Sequence, residues 1–168
     1  IDLSESKHDK IKDKYAKIFV EIRKHKGLSF KKARQLMNYR NYFGCMMVKQ
    51  GSADAFISGY SRSYPEVIKP VLKIIGKEDG VRKVAATNLM ITSKGPIFLS
   101  DTSINIDPKF NELAHIAKMT AYTAEVFGFS PVIAMLSFSN FGSAVHDSVE
   151  KVSNAVKLLN RCFPDLIV

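Results

Sequence analysis

The chain has 168 residues, 46% of them hydrophobic and 24% charged, with 25 Lys+Arg against 16 Asp+Glu and a formal charge of +9. A domain of this size buries roughly 70% of its unfolded surface and needs no disulfide. The widely separated Cys45 and Cys162 are therefore expected as free thiols in a cytoplasmic protein, with no metal-spaced pair. No apolar run approaches the roughly 20 residues that span a bilayer, and the charged N-terminus does not read as a signal peptide. Much of the basic charge comes early, from Lys7 and Lys10 through Lys31, Lys32 and Arg34. It is either the solvated face of two helices or an attraction for an anionic partner. No basic stretch is interleaved with stacking aromatics, so nucleic acid is not expected; a small polyphosphate ligand fits.

Ile11, Tyr15, Ile18, Phe19 and Ile22 recur at helical spacing and predict an amphipathic helix over about 4–25, ended by Gly27. Ser29 is placed to cap a second helix running to Met37. A third, about 40–50, carries Phe43, Met46 and Met47 and stops at Gly51. The period then changes. "DAFISG" (54–59) reads as a short buried strand. In "SYPEV" (63–67), Ser63 and Glu66 match the reciprocal capping pattern and Pro65 falls in the first turn of the next helix; Pro70 lies inside it and should bend it.

Residues 83–92 and 96–101 read as a hairpin around "SKG", with Gly95 left-handed. "IDP" (106–108) predicts a helix capped by Asp107 with Pro108 in its first position, and a stripe of Phe110, Leu113, Ala114, Ala117, Ala121 and Ala124 whose alanines imply close packing on a sheet. "VIAMLS" (132–137) reads as a buried strand. Val145, Val149, Val152, Val156 and Leu159 mark the last helix, and "PDLIV" reads as a strand cut off where it begins. With Ile1 in place of an initiator Met, this suggests a piece excised from a longer protein.

Alternation of this kind means an α/β fold, a three-layer sandwich with a mostly parallel sheet and helices on both faces. The expected organisation is N-terminal helices over 1–50 and an α/β core over 51–168, truncated at its C-terminal end. Ligands in such sheets bind outside the carboxyl ends of the strands. That places "SGYSRSY" (58–64), "SDTSIN" (100–105) and "SFSNFGS" (137–143) on one rim. In the last, Gly142 permits close backbone approach, and Ser137, Ser139, Asn140 and Ser143 supply donors before a helix N-terminus that favours an anion. The alternative is that Ser143 is only an N-cap and the rest a turn. The missing Gly-Lys-Ser/Thr ending excludes a Walker loop. Arg62, after Gly59, suits a two-pronged grip on phosphate or is simply solvated. Asp101 either orients a donor at a ligand or caps a neighbouring loop.

No nucleophile–base pair is visible, so no residue is assigned a catalytic role. His8 and His25 fall on the exposed face of the first helix, His115 beside an apolar stripe, and His146 in the first turn after the serine loop, within reach of a bound anion. No pair has metal-ligand spacing.

The stretches "YFGCMMVKQGSADAFISG", "PVLKIIG", "IFLSDTSINIDP", "IAMLSFSNFGSA" and "PDLIV" together resemble the phosphotransacetylase family, in the right order over roughly 27–168. The family reads S-F-S-x-x-G-S-A where this chain has Ser137 to Ala144, and Asp-Cys-Ala-Val-Asn where it has Asp101, Thr102, Ser103, Ile104 and Asn105. The resemblance implies a fragment of a two-domain fold whose members transfer acetyl between coenzyme A and phosphate in an interdomain cleft and usually self-associate. It implies an acetyl-CoA or phosphate site including Ser58, Gly59, Arg62, Tyr64, Asp101, Thr102, Asn105, Ser139, Asn140, Gly142 and Ser143. The family's catalytic Ser-Arg pair would follow "PDLIV".

Two departures stand out. "GYSRSYPEVIKP" puts Arg62 at a position where the transferases usually read His, and Lys69 where they read Arg. Thr102 replaces the cysteine. That wording resembles the phosphotransacetylase-like C-terminal domain of hybrid NADP-dependent malic enzymes. The leading expectation is therefore a regulatory and oligomerising domain that binds acetyl-CoA, with NADP and Mg or Mn held by an absent malate-decarboxylating part. The alternatives are a subdomain of an active phosphate acetyltransferase and a non-enzymatic nucleotide-binding or interaction domain. No membrane partner is expected.

Overall fold

The structure, a computed structural model, describes residues 2–81, 83–139 and 143–168. The chain divides into two compact units, Ile1–Asp79 and Gly80–Val168. The class is α/β, with helices predominating and a small sheet.

In the first unit the stripe at helical spacing forms α1 (Asp9–Ile22), which buries Tyr15, Ala16 and Phe19. Short 3-10 turns flank it at Ser6–His8 and Lys24–Lys26, and Gly27 closes the second at φ 66°. The predicted 4–25 helix is thus an α-helix with tightened ends, where backbone bonds run out. Helix α2 (Phe30–Leu36) starts at Ser29, whose Oγ accepts from Lys32 N at 3.3 Å. It is tied to α1 by Arg34, which donates from Nη2 to Asp9 at 2.7 Å and from Nε to Asp13 at 2.5 Å. Lys12 is buried because its ammonium donates to the Leu3 carbonyl at 2.5 Å, with Asp9 at 3.4 Å. Helices α3 (Arg40–Lys49) and α4 (Tyr64–Ile74) pack on each other. The core of the unit includes Tyr15, Phe19, Met37, Phe43, Met46 and Ile74. Cys45 is a free thiol there, and burial pushes its pKa up to about 11.

The strand expected at 54–59 does not form; these residues join no ladder. Phe56 turns inward onto the α1–α3 core while Ile57 is 96% exposed, so the apolar run serves as an anchor for the loop that follows. Gly44 of α3 makes room for it. A Cβ at Gly44 would lie 2.5 Å from the Phe56 ring. Gly→Ala in a helix ordinarily stabilises by about 0.5–1 kcal/mol. Here overpacking, costing about 1–3 kcal/mol, opposes and exceeds that gain. Gly44→Ala is therefore expected to destabilise by about 1–2 kcal/mol in urea titration, and the compensating Phe56→Leu should recover part of the loss.

In the second unit β1 (Thr87–Thr92) and β2 (Gly95–Ser100) pair antiparallel from Thr87↔Ser100 to Thr92↔Gly95. The hairpin forms around the expected turn, with Gly95 at φ 117°, but its first strand begins at Thr87, four residues later than the 83–92 run suggests. Thr92 Oγ1 donates to Gly95 O at 2.7 Å and accepts from Lys94 N at 3.2 Å, which fixes the turn. Helix α5 (Phe110–Val126) packs on β2 and on α6 (Asp147–Cys162), with Ala114, Ala117, Ala155 and Leu159 at the centre. Cys162 is an exposed free thiol.

Helix α5 starts two residues later than the sequence suggests. Its N-cap is Lys109, whose N–H donates to Glu112 at 2.9 Å; Asp107 instead accepts from Lys151 of α6 at 2.5 Å. The parallel strand expected at 132–137 is reduced to one bridge, Val132↔Ile167, with Ile133 N donating to Ile167 O at 2.9 Å. Val132 and Leu136 are 73% and 80% exposed while Ile133 and Met135 pack on the core of the unit, so one face of the run is covered and the other is open. The "PDLIV" expectation survives as that bridge alone.

Candidate functional site

The first loop, 58–64, is shaped by a residue that sequence reading overlooks. Asn41, in the first turn of α3, accepts from Ser58 Oγ at 3.0 Å and donates from Nδ2 to Glu66 O at 3.0 Å. It thereby spans both ends of the loop. No local signal reveals it, because its partners lie 17 and 25 residues away. Gly59 has φ 131°, a backbone conformation that side chains disfavour. The capping expectation at α4 is met by Glu66, whose carboxylate accepts from Ser63 N at 3.0 Å and Ser63 Oγ at 2.9 Å. Those bonds, the backbone one foremost, hold its pKa below the usual value. Tyr64 opens the helix. Arg62 is exposed and has no hydrogen bond or ion pair among the described residues, so its guanidinium is free for an anion.

In the second unit, the loop after β2 is built on Asp101. Oδ1 accepts from the amides of Ala86, Ser103 and Ile104 at 3.0, 3.1 and 3.2 Å; Oδ2 accepts from Asn105 N at 2.7 Å and Asn105 Nδ2 at 2.5 Å. Asn105 Nδ2 also donates to Val84 O at 2.9 Å. Burial alone would raise the Asp101 pKa, but hydrogen bonds from Ala86, Ser103 and Asn105 override it and bring it down to about 2. A depressed folded-state pKa means stability that is present above the unfolded value, near 3.8, and lost as pH falls through about 2. Wild-type protein should therefore exceed Asp101→Asn by about 1–2 kcal/mol near neutrality, after discounting for solvent screening. The gap should close between pH 4 and pH 2 in melts of both proteins. Thr102 and Ser103 are exposed; Thr102 Oγ1 donates to Asn88 Oδ1 at 3.2 Å.

The serine loop is knitted by its own hydroxyls. Ser137 Oγ accepts from Ser139 N at 3.2 Å and donates to Ser139 O at 3.0 Å. Ser139 Oγ accepts from Ala144 N at 3.0 Å and lies 3.1 Å from Ser143 Oγ. Asn140 and Gly142 lie outside the described residues. Helix α6 begins at Asp147, beyond this loop, so Ser143 is not its N-cap. His146 is: its Nδ1 accepts from Ser148 N at 3.1 Å. Its ring meets Phe138 edge-on at 5.6 Å. Asp147 and Glu150 sit in the first turn and already complement the helix dipole.

Among the described residues, no group of three or more His, Cys, Asp and Glu is arranged to hold a metal ion, and no helix is long and apolar enough to cross a membrane. Of the predicted residues, the structure joins Asp101 with Asn105 and Ser139 with Ser143, and ties Ser58 and Thr102 to Asn41 and Asn88.

The family model described as phosphate acetyl/butaryl transferase matches residues 1–168. The chain belongs to that family. It is 37% identical over 163 residues to the phosphate acetyltransferase of Thermoanaerobacterium thermosaccharolyticum, covering 93% of this chain and 50% of that protein. It is 40% identical over 148 residues to that of Bacillus subtilis, covering 88% and 46%. Among solved structures, EutD phosphotransacetylase from Staphylococcus aureus superposes with a TM-score of 0.81 at 36% identity, over 100% of this chain and 51% of that one. A phosphotransacetylase from Streptococcus pyogenes gives 0.81 at 39% identity, over 92% and 47%. The chain thus spans about half the length of these relatives. They overturn the hybrid malic-enzyme reading: identity of 37–40% across most of the chain leads to phosphate acetyltransferases, and the regulatory role goes with it.

Proposed function

We propose that this chain is part of a phosphate acetyltransferase, which moves an acetyl group between the sulfur of coenzyme A and inorganic phosphate. The observation that carries the reading is identity at the level of 36% with a TM-score of 0.81 over the whole chain. In the forward direction a phosphate oxygen attacks the thioester carbonyl, the tetrahedral intermediate collapses, and the CoA thiolate leaves and takes a proton. Acetyl phosphate and CoA are the products. This chain's share is to bind and orient. Arg62 supplies a permanent positive charge for a phosphate group. Thr102, Ser103, Ser139 and Ser143 supply hydroxyl donors; the amide of Ser103 is held by Asp101, which limits the ordering cost of binding at that loop.

The test is thiol release from acetyl-CoA by the full-length protein. Release that requires phosphate and saturates with it is expected. Absence of phosphate-dependent release, with CoA still bound, would favour a non-enzymatic nucleotide-binding domain instead.

A further inference from the structure

We infer that Asp101 is a positioning residue, which holds the 101–105 loop so that the Thr102 and Ser103 hydroxyls, and not its own carboxylate, meet the ligand. The inference rests on the transferase reading and goes further by dividing labour within the loop. Both carboxylate oxygens are engaged: three donors converge on Oδ1 and two on Oδ2. A carboxylate so occupied has little capacity left for a ligand, and its negative charge would repel a phosphate.

What it does instead is consume the loop's amides. The N–H groups of Ser103, Ile104 and Asn105 all point inward to it, so the curvature of the loop is set from within. Ala86 N on Asp101 and Asn105 Nδ2 on Val84 O bind the loop to the segment entering β1. Thr102 N donates to Ala86 O at 3.3 Å and Ser100 Oγ to the same oxygen at 3.0 Å, closing the base of the hairpin. The residues left exposed are Thr102 and Ser103. Their hydroxyls lie 3.5 Å apart, with Asn88 accepting from Thr102, so each keeps lone pairs and Ser103 can redirect its proton to an incoming oxygen.

The experiment compares full-length wild-type protein with Asp101→Asn and with Thr92→Ala, which weakens the same hairpin at its far end. An asparagine must present an NH2 to amide donors and cannot replace the carboxylate. In Asp101→Asn, hydrogen exchange at Ser103, Ile104 and Asn105 should accelerate, and KM for acetyl-CoA or phosphate should rise about tenfold with kcat changed less than about threefold, the scale of losing one or two oriented donors. Thr92→Ala should leave both KM values within about twofold.

If Asp101→Asn frees the amides yet leaves KM as Thr92→Ala does, the residue only staples the hairpin and the inference is overturned. Should Asp101→Asn fail to fold, Asn105→Ala, which keeps the carboxylate and every backbone donor, decides by the same comparison with an expected KM rise of about threefold. If wild-type protein releases no thiol, the transferase reading falls by itself and calorimetry with CoA takes over. About tenfold weaker CoA binding in Asp101→Asn sustains the positioning role; unchanged affinity, or no CoA binding by wild type, overturns it.

Discussion

Arg62→Ala in the full-length protein is expected to weaken CoA binding about 10- to 100-fold, the range for a charge-assisted bond to phosphate, with no measurable fall in Tm. The two halves follow from one fact. Arg62 is exposed and makes no hydrogen bond or ion pair among the described residues, and its charge adds only a small attraction to the Glu66 carboxylate, so its removal costs the fold little. The loop around it is held by other groups, Asn41 across its ends and Glu66 at Ser63. A guanidinium free in the unliganded protein has its whole donor set available. Arg62→Lys should fall between, since an ammonium keeps the charge and loses the planar fork. Calorimetry with CoA, beside thermal melts, checks both halves. An Arg62→Ala protein with unchanged affinity removes this residue from the site.

Phe19→Ala is expected to cost about 3–5 kcal/mol, a large share of a domain's usual 5–15. Phe19 is 1% exposed, meets Tyr42 at 5.9 Å between ring centroids, and belongs to the cluster that joins α1 to α3. Truncation leaves a cavity among groups tied to separate helices, so the site collapses poorly. Phe19→Leu, close in volume, should cost less than about 1.5 kcal/mol. Urea titration followed by far-UV circular dichroism reads both. A loss under 1 kcal/mol for Phe19→Ala would mean that this packing does not hold the first unit together.

How much of this was legible in the sequence depended on the range of the interaction. Helix faces and caps are local, and Ser29, the Ser63–Glu66 pair and the hairpin turn at Gly95 appear where the residue pattern puts them. Misreadings came where a distant partner decided. Asp107 looked like a cap, but Lys151, 44 residues on, takes it. The runs at 54–59 and 132–137 have strand composition, yet a strand needs a neighbour, and among the described residues 132–137 bridges to Ile167 alone. In the candidate loops the residue types were visible and their roles were not. Asp101 was readable either as a group that orients a donor or as a loop cap, and the sequence could not show that five donors from Ala86, Ser103, Ile104 and Asn105 converge on it; Asn41 was not readable at all. The functional misreading came from weighting one varied stretch, Ser61 to Val67, above the match along the rest of the chain. Identity near 37–40% over most of the sequence outweighs it.

The most direct measurement is product identity. Full-length protein, acetyl-CoA and phosphate are incubated together, and free CoA and acetyl phosphate are quantified from the same reaction, the latter as its hydroxamate. One acetyl phosphate per CoA released is the predicted result. Release of CoA with free acetate and no acetyl phosphate would contradict a phosphate acceptor, and with it the role assigned here to the Arg62 and hydroxyl-bearing loops.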